Sequence, residues 1–138
     1  MSVSISDSAS HATWVYSGYF DSAPSTSEFA AAKGGSNDEL HIVVVDRTGK
    51  ISGTANTVLE RFAYVSKASD AKSNDGSSNY YKEVINSRSK YVWWGKHNTD
   101  GTNWGSAGAG TAFASMSGGA DTFTMAGGTD ADASSGNL

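Results

Sequence analysis

The stretch Leu40-His-Ile-Val-Val-Val-Asp46 decides the predicted fold, because it is nearly continuously apolar and rich in β-branched residues. Strict alternation of apolar and polar residues would indicate a strand with one face in water. A continuous run indicates a strand covered on both faces, which is typical of a parallel sheet. We therefore predict a buried strand over about residues 40–46, followed by a turn at Gly49.

The residues after this strand predict a helix over about 57–67. Thr57-Val-Leu-Glu60 has the form of a capping box, in which the hydroxyl and the carboxylate satisfy free N–H groups at the start of a helix. Apolar residues then recur at helical spacing, at Val58, Leu59, Phe62 and Val65. The predicted helix is therefore amphipathic.

A second helix over about 79–89 and a second strand over about 91–94 complete the unit. Asn79 is placed to cap this helix, whose apolar side consists of Tyr80, Tyr81, Val84 and Ile85. Tyr91-Val-Trp-Trp94 has the composition of another buried strand. The order strand–helix–helix–strand predicts an α/β fold in which the two strands lie parallel, joined by a right-handed crossover.

The rest of the 138 residues is assigned by composition. Residues 1–19 are predicted to be a polar N-terminal segment, poorly ordered or looped over 1–12 and with a short strand at 13–16. Residues 20–95 form the α/β core, with one or two helical turns over 27–33. Residues 96–138 form a Gly-rich, irregular part of the same domain, in which 111–116 and 121–125 are the only candidate elements.

Charge and composition exclude several classes of function. The net charge of −4 provides no basic face for nucleic acid or for an anionic membrane surface. The chain has no Cys, and therefore no disulfide or thiolate metal site. No apolar run approaches the roughly 20 residues of a membrane span. We predict neither nucleic-acid binding nor direct membrane insertion.

Motifs for catalysis, cofactors and metals are weak. His11, His41 and His97 are far apart and no G-x-S-x-G motif accompanies them, so a structural histidine is the favoured interpretation of His41. Gly49-Lys50 lacks the first glycine of a phosphate loop. The polar stretches 98–103 and 130–132 lack the spacing of a calcium loop. We therefore predict no catalytic, cofactor-binding or metal-binding residues and no enzymatic activity.

The aromatic residues allow two interpretations. They could form a stacking surface for sugars or single-stranded nucleic acid. However, Trp93 and Trp94 are adjacent in a predicted strand and would point to opposite faces. We favour core positions for both. The aromatic residues concerned are Trp93, Trp94, Trp104, Tyr80, Tyr81 and Tyr91.

Three stretches of the chain resemble the tail sheath proteins of T-even-like contractile bacteriophages. They occur in the family's order over about residues 20–95, and a weaker similarity follows at 117–121. The first is Phe20-Asp-Ser-Ala-Pro-Ser-Thr-Ser27. The second covers 34–46 (Gly-Gly-Ser-Asn-Asp-Glu-Leu-His-Ile-Val-Val-Val-Asp) and 53–62 (Gly-Thr-Ala-Asn-Thr-Val-Leu-Glu-Arg-Phe). The third covers 65–72, 75–81 and 91–95.

The resemblance implies a structural subunit that polymerises around a tail tube and contracts to drive the tube through the host envelope. It implies other sheath subunits, the tail tube protein, and baseplate and tail terminator proteins as partners. It also implies an α/β domain, no cofactor, and a place in the virion after assembly in the host cytoplasm. Family members are several times longer, so we expect an internal fragment with an unpaired sheet edge or an exposed apolar face.

Two other functions are kept as alternatives. The first is a glycan or host-surface binding module of a phage tail that uses Trp104 and the Gly/Asn/Asp-rich tail. The second is a small hydrolase that uses His41, for which the sequence suggests no substrate.

Overall fold

Both strands and helices are present in the computed structural model, which describes residues 2–94, 101–116 and 119–124. The coarse prediction of a mixed α/β fold is therefore confirmed. Four strands form one sheet in the order β3-β2-β1-β4, and every neighbouring pair is antiparallel. The elements are β1 (Ser2–Ser6), α1 (Glu28–Ala32), β2 (Glu39–Asp46), β3 (Thr57–Ser66), α2 (Tyr81–Arg88) and β4 (Asp121–Thr124), with 3-10 turns at His11–Thr13 and Ser17–Tyr19.

Strand β2 confirms the prediction for residues 40–46, including burial on both faces. On one face Leu40, Ile42 and Val44 join the main core, which α2 covers. On the other face Val43 and Val45 lie under Trp14. The inference of a parallel sheet is wrong, because a continuous apolar run reports burial on two sides and carries no information about strand direction.

The predicted helix over 57–67 is wrong, since these residues form β3, which returns from β2 as a hairpin. Ile42 lies opposite Phe62, whereas Leu40 lies opposite Val65, so β3 contains one extra residue there. Such a β-bulge shifts, by one residue, the alternation of side chains between the two faces of the strand. Phe62 and Val65 therefore both reach the main core although they are three apart, a spacing that is also typical of a helix.

We predicted that residues 91–94 form the buried strand next to β2. In the structure, that place beside β2 in the interior of the sheet is taken by β1. Residues 2–6 alternate Ser-Val-Ser-Ile-Ser and lie fully buried between β2 and β4, so the expectation of a poorly ordered start is wrong. Val3 and Ile5 join the main core. Ser4 accepts a hydrogen bond from the Trp14 indole N–H at 2.8 Å, which satisfies its hydroxyl on the opposite face.

Residues 91–94 form no strand and instead follow α2 as an irregular segment. The Asn86 side chain donates to the Trp94 carbonyl (2.9 Å) and accepts from the Trp94 N–H (2.6 Å). The amide of Asn86 thereby provides the bonds that a neighbouring strand would have made. Trp94 is buried in the main core, as predicted, but Trp93 is 56% exposed, so its predicted core position is wrong.

The predicted helix over 79–89 is confirmed as α2, which buries Tyr81, Val84 and Ile85. Asn79 does not cap it, because its side chain donates to the Tyr64 carbonyl at 2.9 Å.

The short helix predicted over 27–33 is confirmed as α1, whose Ser27 hydroxyl accepts from the Ala30 N–H. The predicted strand at 13–16 is absent, since the end of a 3-10 turn and a second hydrogen-bonded turn occupy these described residues.

The Gly-rich part of the chain packs against the rest through loops, as its composition predicts. Strand β4 lies within the candidate element 121–125, of which residue 125 is outside the described residues. In the other candidate element, 111–116, Phe113 and Met116 are buried. The division of the chain at residues 19 and 95 stays a prediction. No helix in the described ranges is long and apolar enough to cross a membrane.

Candidate functional site

The densest group of buried charges surrounds Lys67, directly after β3. Both the Lys67 and Asp7 side chains are 0% exposed, and their Nζ and Oδ2 atoms lie 3.4 Å apart. Lys67 Nζ also donates to the Ala114 carbonyl at 3.0 Å and lies 4.7 Å from the centre of the Trp104 ring. The ammonium group therefore joins the end of β1, the end of β3 and the segment 101–116.

Asp7 receives several hydrogen bonds besides the ion pair. The Met116 N–H donates to Oδ2 at 2.7 Å. The Ala9 N–H, the Ser10 N–H and the Ser10 hydroxyl donate to Oδ1 at 3.1–3.3 Å. These donors stabilise the buried carboxylate.

A second buried carboxylate, that of Asp38, is close enough to influence the charge of Lys67. Its side chain accepts from the Ser27 N–H at 2.8 Å and from the hydroxyls of Ser27 and Ser66 at 2.7 and 2.6 Å. Burial lowers the pKa of Lys67 from 10.5, and the negative charges of Asp7 and then Asp38 oppose that shift. Two carboxylates are thus available to compensate one buried cation.

His41 is a structural histidine, as predicted. The Tyr64 N–H donates to Nδ1 at 3.1 Å, so Nε2 carries the hydrogen and donates to the Ser22 carbonyl at 2.8 Å. Tyr64 lies in the bulge of β3 with a φ of 55°, where its N–H is not used by the ladder. Burial lowers the pKa of His41 from 6.5, and the nearby His11 adds to this effect.

The absence of a catalytic histidine cluster stays a prediction. The rings of His11 and His41 lie 5.6 Å apart, edge to face. The Phe20 ring stacks on His41 at 4.1 Å, which fills the space beside it. His97 is outside the described residues, as are the stretch 98–100 and residues 130–132. Among the described residues, no three acidic, His or Cys side chains could hold a metal ion together.

Gly49, which resembles the end of a phosphate loop in sequence, lies in the hairpin between β2 and β3 with a φ of 77°. The Asp46 carboxylate accepts from the N–H groups of Gly49, Ile51 and Ser52 at 2.8–3.1 Å. The bond from Ser52 contributes most to lowering the pKa of Asp46. These N–H groups point at a side chain of the same loop, so they do not form a phosphate site.

Trp104, the anchor of the alternative glycan site, is a packing residue. Its indole N–H donates to the Ala114 carbonyl at 2.8 Å, and its ring meets Tyr81 edge to face at 5.9 Å. Trp104 is partly buried, whereas the most exposed aromatic side chains in the described part of the chain are Tyr19, Tyr91 and Trp93. The sequence alone did not distinguish the aromatic residues that pack inside from those that are exposed.

The outer edge of β3 is the most prominent surface feature. Along 57–65 this strand pairs only with β2 among the described residues, and Ser66 makes one bridge to Tyr80. Two open clefts of about 350 and 320 Å³ lie beside it and share Tyr19 and Arg61. The expectation of an unpaired sheet edge is confirmed for this strand.

No pattern in the sequence indicated the buried charges, because Asp7 and Lys67 are 60 residues apart and neither belongs to a motif. Burial of Asp7 was foreseeable only from the alternating Ser-Val-Ser-Ile-Ser run before it.

Comparisons of the chain with protein-family models, with curated proteins and with solved structures found no match.

Proposed function

We propose that this chain is part of the subunit of a phage contractile tail sheath, which polymerises around the tail tube and shortens to drive the tube through the host envelope. The observation that carries the proposal is the ordered similarity of several sequence strings to tail sheath proteins over about residues 20–95. Several long strings in one order are more specific than any one of them.

The positions of these strings in the fold support the proposal. They include the buried strand β2, most of β3 and the start of α2. They also include Gly34, Gly53 and Gly76, whose φ values of 78°, 91° and 86° are those of turns that favour glycine. The similarity therefore covers residues that determine the fold as well as residues on the surface.

The surface of the molecule is suited to assembly. The free edge of β3 can accept a further strand, and several large apolar side chains are exposed. Val15 is 83% exposed, Trp93 56% and Ile51 50%. In a sheath, such groups would lie against other segments of the subunit or against neighbouring subunits. The partners that we propose are other sheath subunits, the tube protein, and the baseplate and terminator proteins.

The alternative of a glycan-binding module has less support. Trp104 would have to leave its contacts with Ala114 and Lys67 to stack on a sugar. Titration of the chain with sugars, followed by tryptophan fluorescence, tests this alternative. If sugars quench or shift the fluorescence, and Trp93→Phe removes the effect whereas Trp104→Phe does not, a binding module that uses a different surface would be favoured.

Immunogold electron microscopy tests the proposed function. An antibody raised against this chain is applied to phage particles from the source, with antibody pre-absorbed on the purified chain as the control. We expect gold along the full tail length, at a spacing that shortens when tails contract. Gold confined to fibre tips or the baseplate would support a host-binding module instead, and unlabelled virions would contradict a role in the virion.

A further inference from the structure

The closest pairing of a buried nucleophile and a buried electrophile in the described chain is that of Lys67 and Asp7. Their side chains are fully buried, and Nζ lies 3.4 Å from Oδ2. Reacting groups held about 3–3.5 Å apart are near the geometry of attack. Oδ2 is bonded to Cγ, which is the carbon atom that Nζ would attack.

The surroundings of Asp7 favour attack at its carboxyl carbon. Two backbone N–H groups donate to Oδ1, from Ala9 at 3.2 Å and Ser10 at 3.3 Å. The Met116 N–H donates to Oδ2 at 2.7 Å. Fixed N–H donors of this kind stabilise the negative oxygen that develops when a nucleophile adds to a carbonyl carbon. The donors are present before the reaction and need no rearrangement.

The burial of Lys67 makes its neutral amine form more accessible than it is in water. Burial lowers its pKa, although the two carboxylates oppose that effect, and the face of Trp104 covers the side chain at 4.7 Å. A buried ion pair also carries a desolvation cost for both charges. Converting the pair into a neutral amide removes both charges from the interior, which supplies a driving force within the folded chain.

We propose that Lys67 and Asp7 condense spontaneously into an intramolecular isopeptide bond. The Lys67 ammonium first transfers a proton to the Asp7 carboxylate, which gives an amine and a carboxylic acid. Nζ then attacks Cγ, a C–N bond forms, and one C–O bond breaks. The departing hydroxyl takes one of the two protons on the nitrogen and leaves as water, and the other proton stays as the N–H of the amide. No oxidant, cofactor or outside reactant is needed.

The bond would link the chain directly after β1 to the chain directly after β3. These residues are 60 apart in sequence and lie at the same end of the sheet, since Ser6 pairs with His41 and Glu39 pairs with Ser66. The cross-link would prevent the edge strand β3 from separating from the interior of the sheet. The inference does not depend on the proposed function.

Mass spectrometry of the purified full chain under denaturing conditions tests the proposal. We expect an intact mass one water below that of the sequence. Trypsin should then release a branched peptide in which residues 1–33 are joined to residues 62–72, uncut at Lys67. An intact mass equal to the sequence mass, after prolonged incubation of a sample shown to be folded by circular dichroism, would overturn the proposal.

Two controls separate this reaction from other losses of water. Lys67→Arg keeps a positive charge but cannot form the amide, so its mass should equal that of its sequence. A cyclic imide at Asp75-Gly76 would also remove one water, but it gives no branched peptide and mild alkali reverses it. Water loss without a branched peptide in the wild-type chain would therefore also count against the isopeptide bond.

Discussion

At the scale of single residues, the stability of the molecule before the Lys67–Asp7 bond forms depends on the compensation of charge around Lys67. Its ammonium contacts Asp7 and the Ala114 carbonyl and is shielded from water. Removing one member of such a group leaves an uncompensated charge in the interior, which costs about 3–5 kcal/mol. Removing both charges costs less than the sum of the two separate changes, because neither charge is then left alone.

We accordingly expect Lys67→Met and Asp7→Asn each to lower the free energy of unfolding by about 3–5 kcal/mol relative to freshly prepared wild-type chain whose intact mass shows no loss of water. The double variant should be less destabilised than the sum of the two. Urea denaturation followed by circular dichroism measures all four proteins. Additive effects would show that the two side chains act independently and would contradict the ion pair.

His41 gives the molecule a dependence on acid. Its Nδ1 accepts the Tyr64 N–H, and a protonated Nδ1 could not do so. The pKa of folded His41 lies below its ordinary value of 6.5, so below about pH 6.5 the unfolded chain binds more protons than the folded chain. Stability therefore falls as the pH falls, by at most about 1.4 kcal/mol per pH unit from this group.

Thermal unfolding between pH 7.5 and 5 tests this dependence. We expect Tm to fall over this range in the wild-type chain and to fall less in His41→Gln, which has no imidazole to protonate. His11→Gln is a second comparison: it keeps the bond from the Tyr64 N–H to His41 but removes a group that lowers the pKa of His41, so we expect the fall in Tm to remain but to be smaller than in the wild-type chain. Equal slopes for the wild-type chain and His41→Gln would show that His41 does not control the response.

At the scale of elements, the β2–β3 hairpin shows where sequence patterns succeed and fail. The continuous apolar run of β2 was sufficient to locate a buried strand, because a strand that is buried on both faces needs apolar residues at consecutive positions. The bulges in β3 removed the alternation that identifies a strand, so its apolar residues took on helical spacing. Thr57 and Glu60 matched a capping box, yet Glu60 accepts from the Ser89 hydroxyl.

The turn of this hairpin provides a prediction with a control in the same loop. A Cβ at Gly49 would lie 2.7 Å from the Ala55 nitrogen and 2.9 Å from the Thr54 carbonyl carbon, whereas one at Gly53 would meet nothing within 4 Å. Both residues have a positive φ. We expect Gly53→Ala to cost about 1 kcal/mol through backbone strain alone and Gly49→Ala to cost more.

Chemical denaturation of the two alanine variants checks this order. The difference between them reports the close approach of the two sides of the loop, since the backbone strain is common to both. A larger loss in Gly53→Ala would contradict the described path of residues 47–56.

At the scale of the whole molecule, the sheet draws strands from both ends of the described chain. β1 and β4 pair with each other, and segment 101–116 packs on the loop after α1 through bonds such as Phe113 N–H to the Ser36 carbonyl. Such long-range pairings leave no local periodicity, so neither the central place of β1 nor the network around Lys67 could be predicted. The composition did indicate that the Gly-rich part depends on contacts elsewhere.

A pair of glycine variants tests this packing. A Cβ at Gly35 would overlap the Gly108 carbonyl oxygen and lie 3.0 Å from that of Thr111, whereas one at Gly18 would meet nothing within 4 Å. We expect Gly35→Ala to lower Tm by several degrees and to increase hydrogen exchange in residues 105–113, with little change in Gly18→Ala. Unchanged exchange in Gly35→Ala would contradict the contact between these segments.

The central claim is that this fold is part of a tail sheath subunit. Cryo-electron microscopy of extended tails from a phage that encodes the chain tests it most directly. We predict that every subunit of the helical sheath contains an antiparallel sheet in the order β3-β2-β1-β4 with α2 on one face, and that the same unit recurs in contracted tails. A resolved sheath that lacks this sheet, or its presence only in fibres or the baseplate, would contradict the claim.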